Sequence, residues 1–442
     1  METKSRVMIA AAMVLLCGAA GLAETVQAVT LTAEVNQSML AAGQMQTVYL
    51  RVGLKGCPMY HTCRCREPIN LAIVIDKSGS MSSDRKMDKA KEAALLALER
   101  LNSDDILSVV AYDNSVEVLV PATRLTDKDY VREKIRQLNA GGSTALHAGV
   151  EKGGKELQKF LSKEKVNRMM LLSDGLANVG PSSTEEVGRL GSRLAEKGIS
   201  ITTIGLGLGY NEDLMSQLAY VSDGGHYFVE RASQLAEIFE QDLSRSMSVV
   251  AQKAQIEIIC GEGMRPVRIL GREGRIDGRT VYLDIQNIYA DHEKFILVEV
   301  EIPAHAAGRV REAGMVRAAY LDMNTNTTQK ITGSADVRFC ESNAEAERSI
   351  NKRVMADVVE MLAVERNKLA MQMRDAGKTD EAKKMLGMNA AYLQKAAKDY
   401  DRPALDGYAT ENAVQAEQLD EANWNRSRKQ MVEGQSARQS QR

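Results

Sequence analysis

Three oxygen-bearing side chains alternate in the segment Asp76-Lys77-Ser78-Gly79-Ser80, which directly follows the apolar run Leu71-Ala72-Ile73-Val74-Ile75. One carboxylate and two hydroxyls at that spacing can converge on a single point if the chain bends there, and Gly79 permits the bend. The set is hard and oxygen-only, which suits Mg²⁺, with Mn²⁺ or Ca²⁺ as alternatives, in a shell completed by water. Two later segments offer further oxygens. Thr144 closes Gly141-Gly142-Ser143-Thr144 ahead of a helical stretch, and Asp174 follows Met169-Met170-Leu171-Leu172 after Ser173. Two carboxylates neutralise a divalent cation, and an open coordination position can then accept one more. The chemistry is that of binding: a metal bridge to an Asp or Glu of another protein.

The elements that must position these residues follow from hydrophobic periodicity. Over 69–249, short continuous apolar runs alternate with segments of helical spacing such as Met87, Ala90, Ala94, Leu98 and Leu101. Runs apolar on both faces are strands covered on both sides. The reading is an α/β domain with a doubly wound, mostly parallel, Rossmann-like sheet. In such a sheet the loops leaving the carboxyl ends of strands face the ligand crevice, and Asp76 and Asp174 fall on such loops. The run from Val116 to Val120, after the turn Asn114-Ser115, predicts an antiparallel edge hairpin.

Period-two alternation flanks this domain. Leu31, Ala33, Val35 and Val48, Leu50, Val52 precede it; Val281, Leu283, Ile285 and Ile296, Val298, Val300, Ile302 follow. The early strands are too few to fold alone, so residues 24–68 and 250–341 are expected to form one β-sandwich into which the α/β domain is inserted. Residues 342–400 read as a helical hairpin with Ile350, Val354, Val358, Met361, Leu362, Glu365 and Leu369 down one face, and 401–442 as a polar, flexible tail.

The first 23 residues read as an export signal. Lys4 and Arg6 precede an apolar stretch from Val7 to Ala23, and small residues suit cleavage after Gly21-Leu22-Ala23 or after Val26-Gln27-Ala28. The stretch is short for a bilayer-spanning helix, which takes about 20 residues, and no later segment is sufficiently apolar. The mature chain is thus expected to carry no transmembrane helix and to be extracytoplasmic: secreted, periplasmic or at the cell surface. Loss of Cys17 leaves Cys57, Cys63, Cys65, Cys260 and Cys340, and an oxidising compartment favours pairing with one thiol left over, in a connectivity that spacing does not fix. Cys57, His61, Cys63 and Cys65 lack the paired spacing of a zinc knuckle and suit a local disulfide or loop staple. With 57 Lys plus Arg against 59 Asp plus Glu, the net charge of −2 offers no electrostatic ground for binding nucleic acid or an anionic membrane.

The run 71–81, with Thr144 and Asp174, resembles a von Willebrand factor type A (VWA) domain, the resemblance covering roughly 69–247. It implies that Asp76, Ser78, Ser80, Thr144 and Asp174 form a metal-ion-dependent adhesion site (MIDAS). Ser78, Ser80 and Thr144 would ligate directly, one or both Asp would act partly through water, and the open position would take an acidic ligand. The segment Asn211-Glu212-Asp213-Leu214-Met215 and the exported front resemble bacterial extracytoplasmic proteins of this class. The domain is also similar to the type A module of inter-alpha-trypsin inhibitor heavy chains.

Other readings compete. A serine-rich turn could merely cap a helix near Ser82 or Ser83, but that requires neither Asp76 nor Asp174. A metal-dependent hydrolase of the haloacid dehalogenase kind needs a second acid where Ser78 stands. A serine nucleophile needs a base from among His61, His147, His226, His292 and His305, and no G-x-S-x-G elbow occurs. Gly205-Leu206-Gly207-Leu208-Gly209 lacks dinucleotide-binding spacing and instead lets a loop pass close to the crevice. The expectation is a protein that is not an enzyme; a structural assembly subunit with an idle metal site is the remaining alternative.

Overall fold

The first strands are laid down by alternation: β1 (Val29–Val35), β2 (Met39–Ala41) and β3 (Gln46–Gly56), with Val48, Leu50, Val52 and Leu54 of β3 buried on one side. β1 pairs antiparallel with β3, Val29 opposite Gly56. The computed structural model describes residues 27–58 and 67–441; the expected export signal with Cys17, and His61, Cys63 and Cys65, lie outside the described residues.

The chain then builds an α/β domain from β4 (Ile69–Asp76), α1 (Lys86–Arg100), β5 (Ile106–Tyr112), β6 (Val116–Arg124), α2 (Lys128–Arg136), α3 (Leu146–Gln158), β7 (Val166–Ser173), α4 (Thr184–Glu196), β8 (Ile199–Leu206), α5 (Glu212–Val221), β9 (His226–Val229) and α6 (Leu235–Ser246). The six-stranded sheet runs β6-β5-β4-β7-β8-β9, parallel throughout except for the antiparallel edge strand β6. Every residue of β4, β5, β7 and β8 is buried. Ile69, Leu71, Ile73 and Ile75 of β4 pack with the α1 and α6 layer, and Ala72 and Val74 with the α3, α4 and α5 layer. From β4 the chain moves to β5 on one side and later crosses to β7 on the other. Strand order therefore reverses at β4, and the crevice that a doubly wound sheet reserves for ligands lies at its carboxyl end.

Strands β10 (Val249–Cys260), β11 (Arg265–Leu270), β12 (Arg275–Asp277), β13 (Thr280–Tyr289), β14 (Glu293–Ile302), β15 (Val310–Asp322) and β16 (Thr327–Cys340) complete the sandwich. Its sheets run β1-β3-β14-β11 and β12-β13-β10-β15-β16-β2. The early strand β3 is flanked by β1 and β14, with Val52 opposite Ile296, so chain from both sides of the α/β domain shares one sheet. The two sheets bury a common core that includes Leu50, Val52, Ile256, Ile258, Val281, Ile285, Val298 and Val316.

Among the described residues Cys57, Cys260 and Cys340 form no disulfide with one another, which corrects the expectation of pairing for Cys260 and Cys340. Cys260 and Cys340 end β10 and β16, between which β15 intervenes. Strands two apart are separated by roughly 9.5 Å, beyond the roughly 7 Å limit between the Cα atoms of a disulfide.

The chain ends in α7 (Asn343–Arg348), α8 (Lys352–Asp375), α9 (Thr379–Asp399), α10 (Ala404–Glu417) and α11 (Glu421–Gln439). The tail expected to be flexible is thus two packed helices, with Leu405, Tyr408, Met431 and Val432 buried. The stripe expected on α8 is only partly right. Val354, Val358 and Met361 are buried, but Leu369 is 43% exposed and Ile350, just before the helix, is 37% exposed. Ala356, Asp357, Val359, Ala363 and Val364 are buried as well, because α8 is covered by the sandwich on one side and by α9 and α11 on others. Among the described residues no helix is long and apolar enough to cross a membrane.

Candidate metal site

All five residues singled out by type and spacing lie at the carboxyl ends of β4 and β7 and just ahead of α3. Asp76 ends β4 and is fully buried. Its Oδ1 accepts the Ser78 backbone N–H at 2.8 Å, and its Oδ2 accepts the Ser173 hydroxyl at 2.8 Å. That turn, with the side chain of Asp76 bonded two residues on, is what bends the chain. Gly79 lies outside the left-handed region and opens a single 3₁₀ turn, so the freedom of glycine is not what the bend requires. Ser78 Oγ and Ser80 Oγ are 3.1 Å apart, and Ser80 donates to Asp174 Oδ1 at 2.6 Å.

The three loops are stitched by backbone bonds. Gly79 N–H donates to Gly142 O at 2.9 Å, Gly141 N–H to Lys77 O at 2.7 Å, and Lys77 N–H to Tyr112 O at 2.8 Å. Thr144 N–H donates to Asn178 Oδ1 at 2.8 Å, which ties the Thr144 loop to the segment beyond Asp174. Gly175 closes the arrangement. A Cβ at that position would stand 3.0 Å from Thr144 Oγ1, 3.5 Å from Ser80 Oγ and 3.9 Å from Ser78 Oγ. Three hydroxyl oxygens from two loops thus surround one small volume, with the carboxylates of Asp76 and Asp174 bonded to the same serines. Burial pushes the Asp76 carboxyl upward, hydrogen bonds from Ser78 and Ser173 oppose this, and the charge of Asp174 adds to it. Filling that volume tests its use: if the oxygens hold a cation, Gly175→Ala should weaken Mn²⁺ binding by on the order of tenfold in isothermal titration with an unchanged circular dichroism spectrum, whereas unchanged affinity would argue against a cation at this point.

The serines do not cap α1. Ser82 and Ser83 donate to Gly79 O and Ser80 O at 2.7 and 3.0 Å, and the residue at the cap position is Arg85, which makes no side-chain cap bond. The family profile described as von Willebrand factor type A domain matches residues 70–241.

These residues form a VWA domain.

Relatives of the domain extend beyond it to different degrees. The chain is 29% identical to the Escherichia coli protein YfbK over 191 residues, covering 42% of this chain and 33% of that protein, so it spans only a third of that relative's length. It is 23% identical to the Synechocystis protein sll0103 over 332 residues, 73% of this chain and 77% of that one. Among solved structures, a von Willebrand factor type A protein from Catenulispora acidiphila superposes with a TM-score of 0.68 at 17% identity, covering 88% of this chain and 89% of that chain. At that identity the likeness is one of fold, and it takes in the sandwich and helices as well as the VWA domain.

Two partners of the site were not foreseen. Ser173, the last residue of β7, holds Asp76. Lys86, the first residue of α1, donates to Asp174 Oδ2 at 2.8 Å, with 15% of its side chain exposed and none of that of Asp174. The glycines of the β8–α5 loop do bring it to the crevice: a Cβ on Gly209 would stand 2.8 Å from the Asp174 carbonyl oxygen.

Proposed function

We propose that the VWA crevice binds Mg²⁺, with Mn²⁺ or Ca²⁺ able to substitute, and through it holds an acidic side chain of another protein outside the cytoplasm, in adhesion or in assembly of a complex. The observation that carries this reading is the convergence of the Thr144, Ser80 and Ser78 hydroxyls above Gly175, with Asp76 and Asp174 bonded to the same loops. The donor set is hard oxygen throughout, as Mg²⁺ prefers. Ser78, Ser80 and Thr144 would hold the cation and the two carboxylates would balance its charge. A bound cation would supply an electrophilic open position for a foreign carboxylate, and the rigid, cross-stitched loops would fix its direction.

Binding rather than catalysis is favoured by the placement of His226. His226 is fully buried, with Thr203 Oγ1 3.0 Å from Nδ1 and Tyr210 Oη 3.3 Å from Nε2, a core residue rather than a base. The second acid that a phosphatase of the dehalogenase kind requires is absent, since Ser78 holds that place. The extracytoplasmic setting rests on the charge and hydrophobicity of the first 23 residues.

Asp76→Asn should weaken Mn²⁺ binding by about 10- to 100-fold without moving the unfolding midpoint. A protein captured from extracytoplasmic extract in Mg²⁺ should be released by EDTA and not be captured by the variant. Retention of that protein by Asp76→Asn in EDTA would sink the mechanism.

A further inference from the structure

The two carboxylates of the site are not treated alike. Asp76 receives neutral donors, the Ser78 N–H and the Ser173 hydroxyl, whereas Asp174 receives a cation, the Lys86 ammonium, together with the Ser80 hydroxyl. The Asp174 side chain is fully buried, and the loop between β8 and α5 passes over the lysine: a Cβ on Gly207 would stand 3.6 Å from Lys86 Nζ. Lys77, the neighbouring lysine, is engaged instead by Asp113 and Glu117 at 3.4 and 3.3 Å, carboxylates outside the site that more than offset its charge. Asp76, Asp174 and Lys86 together carry −1, so a divalent cation brings the centre to +1 rather than to neutrality.

We infer that Lys86 determines the ligand specificity of the site: it weakens the hold on the cation and, in exchange, makes the loaded centre select a carboxylate over a neutral oxygen ligand. This rests on the metal-bridging reading above and adds to it. The reason is Coulombic. Beside the buried Asp174 carboxylate the ammonium repels the cation and attracts the incoming anion, and the two terms have opposite sign for the two ligands. A lysine that only latched α1 to the β7 loop would act on both in the same direction, because its loss would loosen the site for each.

The test uses the full chain with Mn²⁺ and acetate as probes, both followed by isothermal titration. Lys86→Gln keeps an N–H donor on a side chain one bond shorter while removing its charge. It should bind Mn²⁺ about tenfold more tightly, and its Mn²⁺-loaded form should bind acetate about tenfold more weakly. Lys86→Arg, which keeps the charge, should leave both near the wild-type values. Wild-type protein loaded with Mn²⁺ should prefer acetate to acetamide by at least about tenfold, a measurement that needs no variant to fold. Equal affinity for acetate and acetamide, or a Gln variant in which both affinities fall or neither moves, overturns the role of Lys86 and leaves the metal site standing. Wild-type protein that takes up no Mn²⁺ removes the site itself, and the inference with it.

Discussion

Asp223→Ala should destabilise the protein by about 3–5 kcal/mol, a large loss for a single substitution outside the hydrophobic cores. Asp223 follows α5 in the left-handed region, φ 53°, and belongs to the VWA domain, but its carboxylate serves the sandwich. Lys294 of β14 donates to its two oxygens at 2.8 and 2.7 Å, and the backbone N–H groups of Gln286 and Asn287 donate to Oδ2 at 3.0 and 3.3 Å. Burial pushes the Asp223 carboxyl up, but the Lys294 and Arg272 charges outweigh it and hold the group below the usual carboxylate range. Alanine would leave the Lys294 ammonium, 2% exposed, without its counter-ion and two strand N–H groups without their acceptor. Denaturant unfolding followed by circular dichroism should register the loss. Adding Lys294→Met to Asp223→Ala should recover the part due to the orphaned ammonium, because removing both charges of a buried pair is far less costly than removing one, while the two strand N–H groups stay without their acceptor. A loss below about 1 kcal/mol in the single variant, the level of an exposed pair, would show that water reaches Lys294 and that the two domains are not joined through this contact.

The interdomain pair was invisible in the sequence, whereas much of the architecture was legible, and the difference is physical. β14 declares itself because Ile296, Val298, Val300 and Ile302 are all buried while Glu299 and Glu301 point away to Arg268 and Arg265. Period-two alternation records that geometry directly. The site was legible for a similar reason: the carboxyl end of a buried strand places the next residue at the crevice, so Asp76 and Asp174 are located by the runs that precede them. Lys86 had no such marker. Its spacing is that of any lysine on the first turns of α1, like Lys89, which pairs with Glu92 on the helix surface. Its role comes from a loop 88 residues later in the chain. α11 fails the periodicity test altogether. Its buried residues Ser427, Lys429, Met431, Val432, Gln435 and Ser436 are mostly polar, and a helix fixed by ion pairs with a neighbouring domain leaves no apolar stripe to read.

Those ion pairs lead to the second large effect. Lys429 is 1% exposed; its ammonium donates to Tyr210 O at 2.9 Å and to the Glu212 carboxylate, and lies 4.4 Å from the centre of the Tyr210 ring. Arg428 beside it reaches Glu212, Asp213 and Asp375 at 2.7, 2.8 and 3.0 Å, and so binds α5 to α8. The segment gripped is the start of α5 and the loop before it, whose Gly209 lies against the carbonyl of Asp174. Lys429→Met keeps the stem that fills the space and removes the charge. Glu212 would retain Arg428, so the cost should fall at the low end for a broken buried pair, about 3 kcal/mol. If that cost is local, backbone amides in 207–211 and 421–439 should exchange with solvent roughly 100-fold faster, while those of β10 and β13 in the sandwich are unaffected. Because the same loop borders Asp174, Mn²⁺ affinity should fall a few-fold alongside. Unchanged exchange in 207–211 would mean that the loop is held by the sheet alone and that α11 is only a cover for the VWA domain; faster exchange would make the carboxyl-terminal helices part of what shapes the crevice.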